Sequence, residues 1–162
     1  MWFRRKPKPA DAVRELRQQA LTVTDAALGV APNAVAAGCF AVLMETGYAE
    51  AVATLAVFAD GTTSLYFSNG GGIIGAGAHE AVRTASAAFM TRADADLAHF
   101  AGTTATPLPA VGRVRFYVRT PAGTLTAEAD EQDLGHGRHA LSRVFHAGHA
   151  VITEIRKASP DA

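Results

Sequence analysis

The chain has a single cysteine, Cys39, among 162 residues. A lone thiol in an apolar run cannot build an intramolecular disulfide framework and fits a reducing compartment, so the expected location is cytoplasmic. Net charge is also lacking, because 15 Lys and Arg balance 15 Asp and Glu. No global field draws the chain to nucleic acid or to an acidic partner, and any charge-driven binding has to be local. No window approaches the roughly twenty continuous apolar residues that span a bilayer. The amino terminus, Met1-Trp2-Phe3-Arg4-Arg5-Lys6-Pro7-Lys8-Pro9, lacks the apolar centre of a signal peptide. It reads as a flexible basic tail over residues 1–10, with weak membrane contact through Trp2 and Phe3 as the competing reading. One α+β domain is expected over 11–157, followed by a flexible tail over 158–162.

Catalytic signatures are missing as well. There is no G-x-S-x-G elbow, no G-x-x-x-x-G-K-[ST] loop and no H-E-x-x-H pair. Cys39, Ser64, Ser68 and Ser86 are nucleophiles without an assigned base, and Cys39 beside Phe40 reads as a small core hydrophobe. Glu45 and Glu50 flank a turn around Tyr48 and read as exposed turn carboxylates. No catalytic residue and no cofactor are expected.

What is present is a clear alternation of elements. Asp11 is placed to cap a helix running to about Leu28, with Val13, Leu16, Ala20, Val23 and Ala27 on one stripe and Gly29 and Pro32 ending it. A strand over about Cys39 to Glu45 is apolar on both faces and should be central. Thr46-Gly47-Tyr48 turns the chain into a strand over Val52 to Phe58. Asp60-Gly61 then predicts a type I′ hairpin returning along Thr63 to Ser68. A helix is predicted over about Ala78 to Phe100, with Val82, Ala85, Phe89, Ala93, Leu97 and Phe100 inward. After a Thr/Pro-rich connector over 102–109, Val114, Phe116 and Val118 alternate with Arg113, Arg115, Tyr117 and Arg119. That strand has one apolar and one cationic face, and Glu128 on the next strand is placed to pair with one of the arginines. A last helix spans about His139 to Lys157, with Leu141, Val144, Phe145, Gly148, Ile152 and Ile155 inward.

The order α-β-β-β-α-β-β-α describes an α+β sandwich with a mainly antiparallel five-stranded sheet. In architecture this order resembles the roadblock, longin and profilin group of small domains; the resemblance is one of element order and carries no site residue.

The most specific segment is Asn69-Gly70-Gly71-Gly72-Ile73-Ile74-Gly75-Ala76-Gly77. Glycines there either form a structural joint or let a ligand approach the backbone. If Gly75 to Ala78 opens the following helix, its free N–H groups beside Ser68, Asn69, Gly70, Gly71, Gly72, Gly75 and Gly77 suit a phosphate or carboxylate. His136, His139, His146 and His149, with Asp130, Glu131 and Asp133 upstream, make a weaker case for a metal-dependent hydrolase. Ser64, Tyr66 and Ser68 alternate to one side of a strand that would lie at the sheet edge, which suits an interface. The expected function is a non-catalytic protein-interaction module, self-associating as a homodimer or binding another protein in a small complex, with no nucleic-acid partner. Nucleotide or other small-molecule binding at 69–77 and metal-dependent hydrolysis are the alternatives.

Overall fold

The computed structural model describes residues 8–29 and 38–160. The reading of Trp2 and Phe3, Pro32 as a helix stop, and the last two residues of the carboxyl-terminal tail lie outside these positions. Helix α1 spans Pro9–Thr22. Proline suits its first position because the N–H that proline lacks has no intrahelical acceptor there. Lys8, not Asp11, is the cap residue; Asp11 stands in the first turn, where a carboxylate favours the positive helix end. The helix stops short of the predicted Leu28, and a separate 3-10 turn over Ala26–Leu28 closes on Gly29 at φ 68°.

Strands β1 (Ala41–Gly47), β2 (Val52–Phe58), β3 (Thr63–Phe67) and β4 (Gly72–Ile73) precede helix α2 (Glu80–Ala95). Strands β5 (Ala101–Gly102), β6 (Arg113–Thr120) and β7 (Gly123–Asp130) follow, then helices α3 (Glu131–Gly135) and α4 (Ser142–Ala158). The sheet order is β4-β3-β2-β1-β6-β7-β5, and every pairing between these strands is antiparallel. The sheet therefore has seven strands rather than five. The additions are two-residue edge strands, one inside the glycine loop and one at the start of the connector, and two residues are too few to show a period-two pattern. Strand β1 is central, as its two apolar faces require.

Several boundaries also differ. Strand β1 runs on through Gly47, and the reversal is at Tyr48 to Ala51, where Tyr48 N–H donates to the Ala51 carbonyl at 3.0 Å. The β2–β3 turn is not type I′, because Gly61 takes φ 90° while Asp60 does not have positive φ. Gly61 N–H donates to the Phe58 carbonyl and Phe58 N–H to the Thr62 carbonyl. This is a three-residue loop in which a type I turn closes on a glycine bulge. The predicted helix over Ala78 to Phe100 divides into 3-10 turns over Ala76–Ala78 and Leu97–His99 on either side of α2.

The pleat sends alternate residues to two layers. Val42, Met44, Leu55, Val57, Phe116 and Val118 pack with Val82, Phe89 and Ala93 of α2 and Val144, Val151 and Ile155 of α4. The opposite face, with Leu43, Ala56, Tyr66 and Tyr117, packs under Val13, Ala20 and Leu21 of α1. On the α2–α4 side the packing is close. A Cβ at Gly148 would lie 2.7 Å from Met44 Sδ and 3.2 Å from Phe89 Cε2, so the Met44 thioether and the Phe89 ring of α2 occupy the space that a side chain at this position would need. Phe89 is fully buried there. Phe89→Ala is expected to cost about 3–5 kcal/mol, read as a lower urea midpoint; an unchanged midpoint would mean that this helix face is not the core face.

Candidate functional site

Glu45 has no exposed surface. A carboxylate in that position costs several kcal/mol unless a cation and hydrogen-bond donors meet it. Because β1 extends through Gly47, Glu45 lies within the sheet rather than in a turn, on the face covered by α1. Arg17 supplies the cation. Its Nε donates to Glu45 Oε1 at 2.7 Å and its Nη2 to Oε2 at 2.9 Å, while Thr54 Oγ1 donates to Oε1 at 2.9 Å. Arg17 Nη2 also donates to the Thr106 carbonyl at 2.8 Å, and the guanidinium stands 5.7 Å over the Tyr117 ring. The Tyr117 hydroxyl donates to the Pro107 carbonyl at 2.5 Å. Burial alone would lower the Arg17 pKa, but hydrogen bonding and attraction to Glu45, with help from Tyr117, hold it above its ordinary value. Burial raises the Tyr117 phenol. Sequence reasoning did not single out Arg17, although it lies on the same stripe as Val13 and Ala20, where a charge needs a buried partner.

The cationic strand face is engaged within the chain. Arg113 Nε donates to Glu128 Oε1 at 2.9 Å, and Arg115 pairs with the other oxygen of the same carboxylate. Arg119 donates to Thr124 Oγ1 at 2.7 Å and to the Val23 carbonyl at 2.8 Å, and burial lowers its pKa.

The glycine segment acts first as a joint. A Cβ at Gly70 would lie 2.7 Å from Pro9 Cβ, so this glycine admits the start of α1. A Cβ at Gly72 would collide with the Leu65 carbonyl oxygen, and one at Gly77 with the Gly61 carbonyl oxygen. Gly71 and Gly75 take φ 90° and 72° but face open space. Ser68 Oγ accepts from Val52 N–H at 2.8 Å, and Asn69 is exposed. Gly75 to Ala78 do not open α2. The helix begins at Glu80 after an extended His79, and the Arg83 guanidinium donates to the carbonyls of Gly77 at 2.9 Å and Ala78 at 2.8 Å.

Strand β3 is not the sheet edge, because β4 lies outside it. Ser64 and Tyr66 are 6% and 3% exposed and face α1, while Ser68 is half-buried. Among the described residues, cavities lie on both sides of α1. One, of about 250 Å³, lies between the carboxyl-terminal half of α1 and strands β2 and β3 and is lined by Leu16, Ala20, Phe58, Ser64, Tyr66 and Ile74 among others. The other, of about 430 Å³, touches Val13, Arg14, Arg17, Thr54, Ser68 and Leu108.

The histidines are dispersed. His136 stands within 2.7 Å of the Gln132 carbonyl through Nδ1, and His139 Nδ1 accepts from Leu141 N–H at 3.0 Å. His149 packs on Phe145 with ring centroids 4.4 Å apart, and burial, then Arg156 and His146, lowers its pKa. Among the described residues no three His, Cys, Asp or Glu side chains form a group that could hold a metal ion. Cys39 is buried and its thiol is pushed up to about 12 by burial and by Asp94, the opposite of an activated nucleophile. Ser86 and Thr63 share a 2.8 Å hydrogen bond. Among the described residues no helix is long and apolar enough to cross a membrane. Comparison with known proteins finds no matching family model, no matching curated protein and no matching solved structure.

Two outcomes follow from this geometry. Arg17→Met should cost about 3–5 kcal/mol, because it strands a buried carboxylate, whereas Arg17→Met with Glu45→Met should recover most of that loss. Urea titration of both variants reads the difference, and a double variant no more stable than the single one would refute the pairing. Gly71→Ala should lose about 1 kcal/mol from φ alone, and Gly77→Ala should lose more, because the Gly61 backbone has to move. Equal melting temperatures for the two would contradict the close contact.

Proposed function

We propose that the chain is a non-catalytic protein-interaction module that associates with a second copy of itself. The observation that carries this reading is the exposure of two apolar side chains, Tyr48 and Val111, beside the Gly47 end of β1. Tyr48 and Val111 are 42% and 68% exposed, whereas Leu108 lies beside α1 with Arg17 and Ser68. Val111 is joined to the end of β1 by a bridge to Gly47, and Gly112 N–H donates to the Gly47 carbonyl at 2.9 Å. The patch is therefore held in place. Clustered apolar exposure, unlike single exposed residues, favours contact with another surface, and tyrosine is enriched where interfaces form.

A second copy fits the charges beside the patch. The Tyr48 phenol is raised first by burial and then by Glu131, with Arg156 opposing, so charges of both signs stand next to it. A two-fold contact needs a self-complementary surface, and an adjacent acid and base supply one. Ser64 and Tyr66 lie beneath α1, which moves the contact from β3 to the Tyr48 and Val111 end. Light scattering coupled to size exclusion at about 50 µM should give twice the chain mass, with Tyr48→Glu and Val111→Glu together giving the chain mass. A monomeric parent chain at that concentration would overturn the proposal.

A further inference from the structure

We propose that a third cavity, between the residues that follow α1 and the β6–β7 turn, binds a small zwitterion: a free α-amino acid with a short side chain, its carboxylate on Arg119 and its ammonium on Asp25. Arg119 carries the unmatched charge. Among the described residues five arginines are partly buried, and Arg17, Arg92, Arg113 and Arg115 each meet a carboxylate. Arg119 does not. Its two acceptors, the Val23 carbonyl and Thr124 Oγ1, are neutral, and burial lowers its pKa with no acid to oppose it. A desolvated cation without a countercharge carries a cost that a bound anion removes. Residues 30–37, which fall between Asp25 and Phe40 in the chain and outside the described residues, have no charged side chain that could supply that anion.

The contacts of the guanidinium set it at the wall of this cavity. The space is open, about 210 Å³, and bounded by Thr24 and Asp25 on one side, by the turn from Thr120 to Gly123 on another, and by Phe40 and Arg119. The guanidinium stands 5.6 Å over the Phe40 ring, and its two acceptors, at Val23 and Thr124, are the chain neighbours of Thr24 and Gly123. Of the five N–H donors of an arginine, Nη1 and Nη2 use one each on these acceptors and the Nε hydrogen is buried. One hydrogen on each terminal nitrogen remains for a ligand. Asp25 supplies the opposite sign. It is partly buried, lines the same cavity and forms no ion pair with Arg119 or with any other cation among the described residues. Oδ1 of Asp25 accepts from Ala26 N–H at 2.9 Å. An anion alone is drawn to Arg119 and opposed by Asp25, and a cation alone the reverse, whereas a molecule that carries both charges satisfies both walls. An apolar cavity of about 150 Å³ holds benzene, so this one has room for an amino acid of a few carbons.

The test uses the full chain, labelled with ¹⁵N, and three probes at neutral pH: L-alanine, acetate and ethylammonium. L-alanine should give saturable shifts at the amides of Asp25, Ala122 and Gly123 below about 20 mM, and acetate and ethylammonium should each bind about tenfold more weakly. Asp25→Asn keeps an oxygen for Ala26 N–H, so it should melt with the parent chain, lose about tenfold in affinity for L-alanine and bind acetate more tightly than the parent does. Arg119→Gln should lose both L-alanine and acetate. The probe comparison and Asp25→Asn decide the matter even if Arg119→Gln does not fold. Absence of saturable shifts with L-alanine on the parent chain would overturn the site. So would acetate binding as tightly as L-alanine, the result expected of an anion site only, or an L-alanine affinity unchanged in Asp25→Asn or in a folded Arg119→Gln chain.

Discussion

The ion pair between Arg17 and Glu45 is the constraint on which the α1 side of the molecule depends. A carboxylate buried at the centre of the sheet is tolerated only where a cation reaches it, and α1 carries that cation on its apolar stripe. The same guanidinium holds the Thr106 carbonyl and lies over Tyr117, whose hydroxyl holds the Pro107 carbonyl. One charge pair thereby ties a helix, three strands and the connector together. It fixes which part of the sheet α1 covers, and so where the flanking cavities lie. It also holds the connector that leads on to Val111, so the docking of α1 and the course of this segment share one anchor.

The two layers are held by different physics. On the α2–α4 side, fully buried aromatic and aliphatic side chains interlock, and Gly148 admits Met44 and Phe89 to close range. Small changes of volume are felt throughout such packing. On the α1 side only Val13, Ala20 and Leu21 of the helix are buried. Less apolar area leaves more of the attachment of α1 to charge and hydrogen bonding than is the case for α2 and α4.

Sequence patterning made the main elements legible wherever one face repeats. Val82, Phe89 and Ala93 are buried on α2, and Val114, Phe116 and Val118 alternate inward along β6. The cross-strand partner Glu128 could also be read, because Arg115 and Glu128 stand directly opposite. What escaped was non-local. Glu45 reads as a turn residue until α1 is known to cover its strand, and the burial of Ser64 and Tyr66 depends on that same docking. The strands in the glycine segment and at Ala101–Gly102 were missed because their pairing partners, not their own residues, define them. The Tyr48 patch is assembled by a contact between Gly47 and Val111, positions far apart in the chain.

The glycine segment has a further consequence for how the protein behaves at high concentration. Strand β4 is one outer boundary of the sheet, and it is only two residues long. Gly70, Gly71 and Gly72 take φ values of 104°, 90° and 142°, which bend the backbone out of the extended path just before Ile73. A foreign strand arriving at this boundary meets no continuous row of backbone donors and acceptors. Edges of this kind do not template intermolecular pairing, so they guard against fibrous aggregation. Glycine, usually counted as a weakness in a strand, here limits the growth of the sheet.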